Sequence, residues 1–301
     1  MNYLPSPIFY MGNKYKLLKQ LIPLFPTTCE TFLDLFGGSG VISMNYQGTK
    51  HTIYNEFNVN VVELVKTMVN YEPDYLDYYF KQKISEYGLE TCSIKAKDRI
   101  DRSGYDRRKD TFNKLREDYN KSKKRDYKDL FLLACYSINH LIRFNTNGDF
   151  NASNGADSYN EKNYKKICDM HEKFKNVAIL NKDCFDIDFN LLTVDDFVYC
   201  DPPYLNTEAV YNEKRAFGGW DIDDDYKLFK ILEELNNRGV KWGLSNVFYN
   251  RGKSNNHLIE WCNKNNWNVH HLNRNYNPFS RGNSNNDEVY ICNYDKFDDL
   301  D

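Results

Sequence analysis

The sequence lacks the features that direct a chain into or across a membrane. It has no run of about 18 consecutive apolar residues. Its first residues, MNYLPSPIFYMGNK, include no charged segment followed by a long apolar stretch. We therefore predict a soluble protein that is not secreted.

Cysteine is present, but not in the patterns that bind metals or form disulfide frameworks. The eight cysteines include no Cys-x-x-Cys pair and no cluster with histidine at zinc-binding spacing. We expect reduced thiols that are buried as small apolar groups, and we predict no metal site. Cys200, next to an aspartate, could be a nucleophile, but its place in an apolar run favours the core.

The chain does have enough apolar sequence for a core, and it has one strongly basic segment. With 301 residues and 41% hydrophobic content, it can form one large domain or one domain with an insertion. Its net charge is −3, yet residues 95–128 hold fourteen Lys or Arg and seven Asp or Glu. Such a segment indicates contact with a polyanion, although a solvated helix with charges paired at i, i+4 would have the same composition.

Short apolar runs alternate with helical periodicity in the two outer parts of the chain. TFLDLF (31–36) and HTIYNE (51–56) are each followed by a predicted helix, and the alternation resumes after residue 160 with NVAIL, DFVYCD and VKWGLS. This order predicts an α/β fold with a doubly wound, mostly parallel sheet. The last stretches, WNVHHLNRNYNPFS and DEVYICNY, predict a C-terminal antiparallel hairpin.

The middle of the chain, by contrast, is mainly helical and charged, and it includes the basic segment. We therefore predict one domain made of residues 1–72 and 161–301. A helical insertion, residues 73–160, would interrupt it.

One predicted strand ends unusually, in the stretch DDFVYCDPPYLN. The strand stops on Asp201, and Pro202 and Pro203 then fix two successive φ angles at about −65° and supply no N–H. A carboxylate, a rigidly held carbonyl and the ring of Tyr204 would form a small polar site at the carboxyl end of the strand. A strand followed by a plain turn would also explain the pattern, since Asp-Pro is common in turns.

A glycine-rich turn follows the first predicted strand, in LDLFGGSGV. Gly37, Gly38 and Gly40 allow a sharp turn and a close approach of the backbone to a ligand. Glu56 ends the second strand about 20 residues later, where an acid can accept the ribose hydroxyls of a nucleoside. Nicotinamide-binding domains and methyltransferases share this combination. The FxGxG spacing favours methyltransferases, and a glycine turn without a ligand is the alternative.

Seven motifs follow one another along most of the chain: FYMGNKYKLL, DLFGGSG, LREDYN, NHLIRFNTNGDF, DFVYCDPPY, NNRGVKWGLSNV and DEVYICN. In this order they resemble the Dam-type family of adenine-N6 DNA methyltransferases. The resemblance implies a site-specific enzyme in the cytoplasm of a bacterial or phage-infected cell, acting on double-stranded DNA with S-adenosylmethionine. A companion restriction enzyme would be its partner in a restriction-modification system.

The resemblance also implies which residues bind S-adenosylmethionine. The glycine turn would wrap the methionine and the ribose, Lys14 would lie near the methionine carboxylate or the following strand ends, and Glu56 would hold the ribose hydroxyls. Asp183 and Phe185 would contact the adenine, with Asp186 as an alternative to Asp183. The full set is Tyr10, Gly12, Lys14, Asp34, Phe36, Gly37, Gly38, Gly40, Glu56, Asp183, Phe185 and Asp201.

For the motif Asp201, Pro202, Pro203 and Tyr204, the resemblance implies catalysis. The amino nitrogen of adenine is a poor nucleophile because its lone pair is delocalised into the ring. Hydrogen bonds from both amino hydrogens to the Asp201 carboxylate and the Pro202 carbonyl would favour a tetrahedral nitrogen, and the prolines hold that carbonyl in place. Tyr204 would stack on the target base, which must leave the duplex to reach the site.

By the same resemblance, the helical insertion would bind DNA. Arg143 and Asn145 match the family's base- and phosphate-contacting segment, and basic residues before them would contact the DNA backbone. For any single lysine a solvated surface role is the more common one. The predicted DNA-binding residues are Arg108, Lys109, Lys114, Arg116, Arg143, Asn145 and Asn151.

One stretch, FNASNGADSY, departs from the family. Members that methylate GATC have proline and an aromatic residue where Ser153 and Asn154 stand. They then have a guanine-reading basic residue, where this chain has Ala156 and Asp157. An acid suits a cytosine amino group rather than guanine. We therefore expect adenine methylation at a site that need not be GATC.

Other functions fit the sequence less well. Asp201 rather than serine before the prolines disfavours a cytosine-N4 methyltransferase, and the large insertion disfavours a compact RNA methyltransferase. A nicotinamide oxidoreductase would leave DPPY unexplained. An inactive DNA-binding protein of the same fold would not need an intact glycine turn together with Asp201 and Tyr204.

Overall fold

The computed structural model describes residues 2–89, 102–205, 219–250, 252–272 and 287–295, with the backbone alone for 102–107. They fall into two compact units. The sheet unit comprises Met1–Tyr3, Lys14–Phe57 and Asn176–Asp301, and the helical unit comprises Leu4–Asn13 and Asn58–Lys175.

The sheet unit contains one mixed sheet. Its described strands are β1 Cys29–Asp34, β2 Thr49–Asn55, β3 Val177–Leu180, β4 Phe197–Cys200, β5 Lys241–Asn250, β6 Lys253–Ser254, β7 Asn268–Leu272 and β8 Asp287–Cys292. Their order is β3-β2-β1-β4-β5-β8-β7, with β6 paired to β5. Neighbours from β3 to β5 are parallel, whereas β8 is antiparallel to both β5 and β7. The predicted open, mostly parallel sheet with an antiparallel C-terminal pair is confirmed.

The described helices are α1 Leu18–Leu21, α2 Val41–Asn45, α3 Val59–Asn70, α4 Pro73–Tyr87, α5 Arg102–Lys121, α6 Tyr127–Tyr136, α7 Glu161–Phe174, α8 Ile222–Asn237 and α9 Asn256–Asn265. The first is shorter than the sequence indicates, because 3₁₀ turns flank it at Tyr15–Leu17 and Ile22–Leu24. Pro23, in the second turn, has no N–H to continue an α-helix. None of these helices is both long and apolar enough to cross a membrane.

Strand β4 lies in the middle of the sheet and is buried on both faces. Val198 and Cys200 pack into one apolar cluster, with Trp242 and Leu244 of β5, and Phe197 and Tyr199 pack into the other. Each fully buried side chain of this size contributes roughly 1.5–3 kcal/mol to folding.

The nucleophile role considered for Cys200 is disfavoured by its environment. Its side chain is 0% exposed. Burial raises the pKa of the Cys200 thiol well above its usual range, so the thiol stays protonated in the core.

The boundaries of the helical unit differ from the predicted limits of the insertion at 73 and 160. Helix α3 packs against α6 and α7, and its apolar face is buried at Val61, Leu64, Val65 and Met68. Residues 58–72 and 161–175 therefore belong to the helical unit, as does the segment Leu4–Asn13. In that segment the ring of Phe9 stacks on His140, with centroids 4.0 Å apart.

Candidate active site

The carboxyl ends of three neighbouring parallel strands carry acids. Asp34 ends β1, Glu56 follows β2 and Asp201 follows β4. Because β2, β1 and β4 are adjacent and parallel, these ends meet at one edge of the sheet, where open α/β sheets bind their ligands.

The glycine turn after β1 is built on the ring of Tyr54. A Cβ added to Gly37 would lie 2.2 Å from Tyr54 Cε2, so any side chain there would displace the ring. The Tyr54 hydroxyl donates to the Gly38 carbonyl at 2.6 Å, and the Gly37 N–H donates to the Asn55 carbonyl at 2.7 Å. Gly38 and Gly40 have φ values of 50° and 73°, which favour glycine. Three of the predicted cofactor-binding glycines thus have a conformational reason to be there.

Two of the acids face this turn. Asp34 is 1% exposed and accepts a hydrogen bond from Ser43 Oγ at 2.7 Å. Burial raises the pKa of its carboxyl to about 7, and the negative charges of Asp201 and Glu56 add to the effect. Glu56 Oε2 accepts the N–H of Gly38 at 2.9 Å, which fixes the acid against the turn.

Asn55, which the sequence did not indicate as functional, joins the ends of β1 and β2 to the segment after β3. It is buried, and its Nδ2 donates to the carbonyls of Leu35 at 3.0 Å and Lys182 at 3.2 Å. Its Oδ1 accepts the N–H of Lys182 at 3.1 Å. A polar residue ending an apolar strand immediately before Glu56 was the available signal.

Aromatic rings line the same part of the unit. Phe185 stacks on Trp220 at 5.8 Å and 16°, and Phe36 meets Trp220 edge-on at 5.5 Å. Asp183 Oδ1 accepts the Phe185 N–H at 3.0 Å, whereas the alternative acid, Asp186, is exposed. Trp220 was missed because it belongs to no motif.

Phe57, directly after Glu56, is another residue that the sequence did not indicate as functional. Its side chain is 46% exposed, and its carbonyl accepts a hydrogen bond from Asn181 Nδ2 at 2.9 Å. An aromatic residue next to the acid that follows β2 was the available signal in the sequence.

The DPPY motif forms a compact charged cluster with Lys14. Lys14 Nζ lies 2.6 Å from Asp201 Oδ2 and 3.8 Å from Glu288 Oε1, and the side chains of Lys14 and Glu288 are only 3% and 2% exposed. Lys14 therefore lies at the end of β4, one of the two places predicted for it. Pro202 is buried, and Pro203 is exposed.

Tyr204 points its hydroxyl into the same cluster. The hydroxyl donates to Asp201 Oδ1 at 3.1 Å and lies 3.4 Å from Glu288 Oε1. Lys14 Nζ is 5.0 Å from the ring centroid. Burial, followed by the charges of Asp201 and Glu288, raises the pKa of Tyr204 well above its usual range, so the hydroxyl remains a donor.

Two predicted cofactor residues, Tyr10 and Gly12, lie in the segment that clusters with the helical unit. Gly12 has a φ of 83°, a conformation that favours glycine. Among the residues that the structure describes, no three His, Cys, Asp or Glu side chains are grouped to hold a metal ion.

In the helical unit, the segment RFNTNGDFN forms a small hairpin. Arg143 closes it: its Nε donates to Asn151 Oδ1 at 2.7 Å and its Nη2 to the Asn151 carbonyl at 2.8 Å. Asn145 Oδ1 accepts the N–H groups of Asn147 at 3.0 Å and Asp149 at 2.8 Å. Three residues predicted to bind DNA therefore shape this hairpin.

Helix α5 holds the hairpin and the loop after it. Asn120 exchanges two hydrogen bonds with the backbone of Phe150, and Arg116 Nη1 donates to the Ala152 carbonyl at 3.1 Å. Arg108 is 1% exposed and donates to the carbonyls of Gly155 and Ala156.

Arg108 was predicted to contact the DNA backbone. Its guanidinium is turned inward instead, and it holds the loop after the hairpin. Arg116, half-buried, supports the same region. Lys109 and Lys114 are exposed, as a DNA contact requires. Residues 95–101 of the basic segment lie outside the described residues.

The loop that departs from the family ends in an ion pair. Asp157 is 67% exposed, and its Oδ2 lies 3.3 Å from Nε2 of His140. His140 and the preceding Asn139 have φ values of 55° and 52°, which are uncommon for residues other than glycine.

Comparison with known proteins identifies the family. The model of the D12 class N6 adenine-specific DNA methyltransferases matches residues 10–277. The chain belongs to this family. The Type II methyltransferase M.FokI of Planomicrobium okeanokoites is 36% identical over 98% of the chain and 44% of its own length.

Two further relatives show the same coverage. The modification methylase StsI of Streptococcus sanguinis is 33% identical over 97% of the chain and 43% of its own length. The modification methylase LlaI of Lactococcus lactis subsp. lactis is 31% identical over 97% of the chain and 44% of its own length. The chain thus spans less than half the length of these curated relatives.

Proposed function

We propose that this D12-class chain transfers a methyl group from S-adenosylmethionine to N6 of adenine in a short duplex DNA sequence, after the base is flipped out. The observation that carries the proposal is the position of Asp201 and Pro202 at the sheet edge that also holds the glycine turn and Glu56. The relatives are named Type II methyltransferases and modification methylases. By analogy, we propose a restriction-modification role beside a companion restriction enzyme.

The residues at this edge fit the proposed cofactor. S-adenosylmethionine is a nucleoside with an ammonium and a sulfonium group, and it supplies the methyl group when bound. The carboxylate of Asp34 suits a cation, Glu56 suits ribose hydroxyls, and the rings beside Asp183 suit an adenine face. We propose that Phe57 and Trp220 add to the predicted binding residues.

We propose that Asp201 and Pro202 act on the target amino group. Lys14 holds Asp201 Oδ2 at 2.6 Å, so the carboxylate has a fixed orientation. Its Oδ1 and the Pro202 carbonyl would accept the two amino hydrogens and localise the nitrogen lone pair, an electrostatic effect that needs no reorganisation at the moment of reaction. The ring of Tyr204 would stack on the base. Because an amino hydrogen would bind Asp201 Oδ1, the Tyr204 hydroxyl must then share that oxygen or leave it.

We propose that the helical unit binds the DNA. The hairpin closed by Arg143 and Asn151 would present its tip to the duplex, while Lys109 and Lys114 would contact phosphates. Arg108 and Arg116 would act by holding this surface in place. A DNA substrate also implies that the chain works in the cytoplasm of a bacterial or phage-infected cell.

One experiment tests the reaction. Purified protein is incubated with methyl-labelled S-adenosylmethionine and unmethylated genomic DNA, and the digested nucleosides are analysed by mass spectrometry. We expect label in N6-methyladenine. Label only in N4-methylcytosine, or only in RNA supplied in parallel, would support a different N-methyltransferase. Cofactor binding without transfer to any nucleic acid would indicate an inactive protein of this fold.

A second experiment tests the site. We propose that the recognition sequence need not be GATC, and the exposure of Asp157 at 67% supports a role for this acid in reading bases. The methylome of a host that expresses the chain and lacks other adenine methylation gives the sequence context directly. Modification confined to GATC would end this part of the proposal.

A further inference from the structure

Glu288 is a buried acid for which the proposed reaction has no assigned use. It is the second residue of β8, and its side chain is 2% exposed. Because β8 is antiparallel to β5, its first residues lie beside the later part of β5, where Glu288 pairs with Val247. Strand β4 is parallel to β5, so β8 brings Glu288 to the edge at which Asp201 follows β4.

Two groups connect Glu288 to Asp201. The Lys14 ammonium contacts Asp201 Oδ2 at 2.6 Å and lies 3.8 Å from Glu288 Oε1. The Tyr204 hydroxyl contacts Asp201 Oδ1 at 3.1 Å and lies 3.4 Å from the same Glu288 oxygen. Each oxygen of Asp201 therefore contacts a donor that also faces Glu288.

We propose that Glu288 is a positioning residue for methyl transfer. It accepts the hydrogen bond of the Tyr204 hydroxyl when the target amino group binds Asp201 Oδ1. This inference rests on the function proposed above.

The physical reason lies in the burial of the cluster. Asp201 Oδ1 already accepts the Tyr204 hydroxyl, so an incoming amino hydrogen either shares this oxygen with the hydroxyl or displaces it. A buried hydroxyl that loses its acceptor is strongly disfavoured. Since Glu288 Oε1 is only 3.4 Å away, a small rotation gives the hydroxyl a second acceptor, and the ring of Tyr204 can turn toward the base.

A purely structural role for Glu288 would be to neutralise the buried charge of Lys14. That role depends on Lys14 and does not depend on the Tyr204 hydroxyl. The two readings therefore differ in whether the effect of changing Glu288 disappears when the hydroxyl is removed.

The experiment compares Glu288→Met with wild type as full-length chains, in single-turnover and steady-state methylation assays. Methionine preserves the length of the side chain and removes the acceptor. We expect kcat to fall roughly 10- to 100-fold, with KM for DNA and cofactor affinity within about threefold of wild type. The matched control is Glu234→Met on α8, where the side chain is 64% exposed; it should have wild-type kcat.

The decisive measurement repeats Glu288→Met in a Tyr204→Phe background, which keeps the ring and removes the hydroxyl. We expect the loss caused by Glu288→Met to shrink at least severalfold there, because the two residues are coupled. Equal losses in both backgrounds, or no loss in either, would overturn the proposal. Should Glu288→Met not fold, Glu288→Leu, which also has no acceptor, replaces it in both backgrounds, with the same expected and contradicting outcomes.

Wild-type protein in the same assay separates this inference from the function on which it rests. If the wild type does not methylate adenine, the proposed function is wrong. If the wild type is active and the Glu288 variants are equally active, only the role of Glu288 is wrong.

Discussion

The carboxyl edge of the sheet unit and helix α5 of the helical unit both bury charged side chains, but they neutralise them differently. At the sheet edge, the Lys14 ammonium lies between the carboxylates of Asp201 and Glu288. On α5, the buried guanidinium of Arg108 donates to the backbone carbonyls of Gly155 and Ala156. A cluster of ions beside a ligand site can change its hydrogen bonds during a reaction, whereas a guanidinium bound to peptide carbonyls fixes a loop.

This difference separates effects on rate from effects on stability. Substitutions in the charged cluster should mainly change methyl transfer, because its members retain other partners when one is removed. Substitutions of Arg108 should mainly change folding, because the Gly155 and Ala156 carbonyls then lose this donor.

The largest effect is expected for Asp201→Ala. It removes an acceptor that, in the proposed reaction, acts mainly in the transition state, so kcat should fall on the order of 10³-fold. Cofactor affinity should stay close to wild type. Lys14 would still lie near Glu288, so the protein should remain folded. Single-turnover methylation and a cofactor titration measure the two quantities.

The control for Asp201→Ala is Asp195→Ala, an exposed aspartate just before the opposite end of β4, which should leave both quantities unchanged. If cofactor affinity collapses together with activity in Asp201→Ala, the aspartate holds the cofactor more than the base. The charged cluster at the sheet edge would then not differ from Arg108 in the way proposed above, because its main acid would hold a ligand in place rather than act in the reaction.

The second effect is expected for Arg108→Ala. Removing a guanidinium that is 1% exposed leaves the Gly155 and Ala156 carbonyls without this donor, and the free energy of unfolding should fall by about 2–3 kcal/mol. Denaturant titration measures the change. A loss of DNA affinity with unchanged stability would mean that Arg108 does reach the DNA, contrary to its supporting role.

The sheet unit followed from the sequence more completely than the helical unit, for physical reasons. Gly40 adopts a φ of 73° that few other residues allow, and the two prolines after Asp201 fix φ, so these residue types predict a local conformation. Acids that end parallel strands must converge at one edge, which brought Asp34, Glu56 and Asp201 together. Glu288 was missed because its place depends on pairing between β5 and β8, which are distant in sequence.

In the helical unit, composition gave the charge of α5 but not the direction of each side chain. Arg108 and Lys109 are neighbours in sequence, yet one is buried and the other exposed. Which of them faces inward depends on Phe112, Leu115 and Tyr119, whose buried side chains set the rotation of the helix. That rotation is decided by tertiary packing, which a count of basic residues does not contain.

A third effect concerns Asp34, a buried carboxylate that is held by the hydroxyl of Ser43. Its pKa is raised from 3.8 to about 7 in the folded chain, chiefly by burial. The neutral form is therefore favoured by folding, and this contribution is full below about pH 4 and lost as pH rises through about 7. Between about pH 4 and 7, the free energy of unfolding of the wild type should fall by roughly 1.4 kcal/mol per pH unit relative to that of Asp34→Asn, which does not titrate at this position.

Denaturant unfolding of wild type and Asp34→Asn at several values between pH 4 and 8 measures this difference, and other titrating groups cancel between the two proteins. A difference that does not vary with pH would show that Asp34 is already ionised throughout the window. Burial at this edge would then not favour the neutral form of Asp34.

The smallest effect is expected for Lys109→Ala, the neighbour of Arg108 on α5. Its side chain is exposed, so the free energy of unfolding should change by no more than about 0.5 kcal/mol. If Lys109 contacts a phosphate, DNA binding should weaken similarly for all sequences. The slope of log affinity against log salt should then become shallower by about 1.

Binding measured at several salt concentrations tests this change in slope for Lys109→Ala. The control is Lys230→Ala, at an exposed lysine of α8 in the sheet unit. An unchanged slope would mean that Lys109 is a solvated surface residue, and that exposure on α5 is not enough to make a DNA contact.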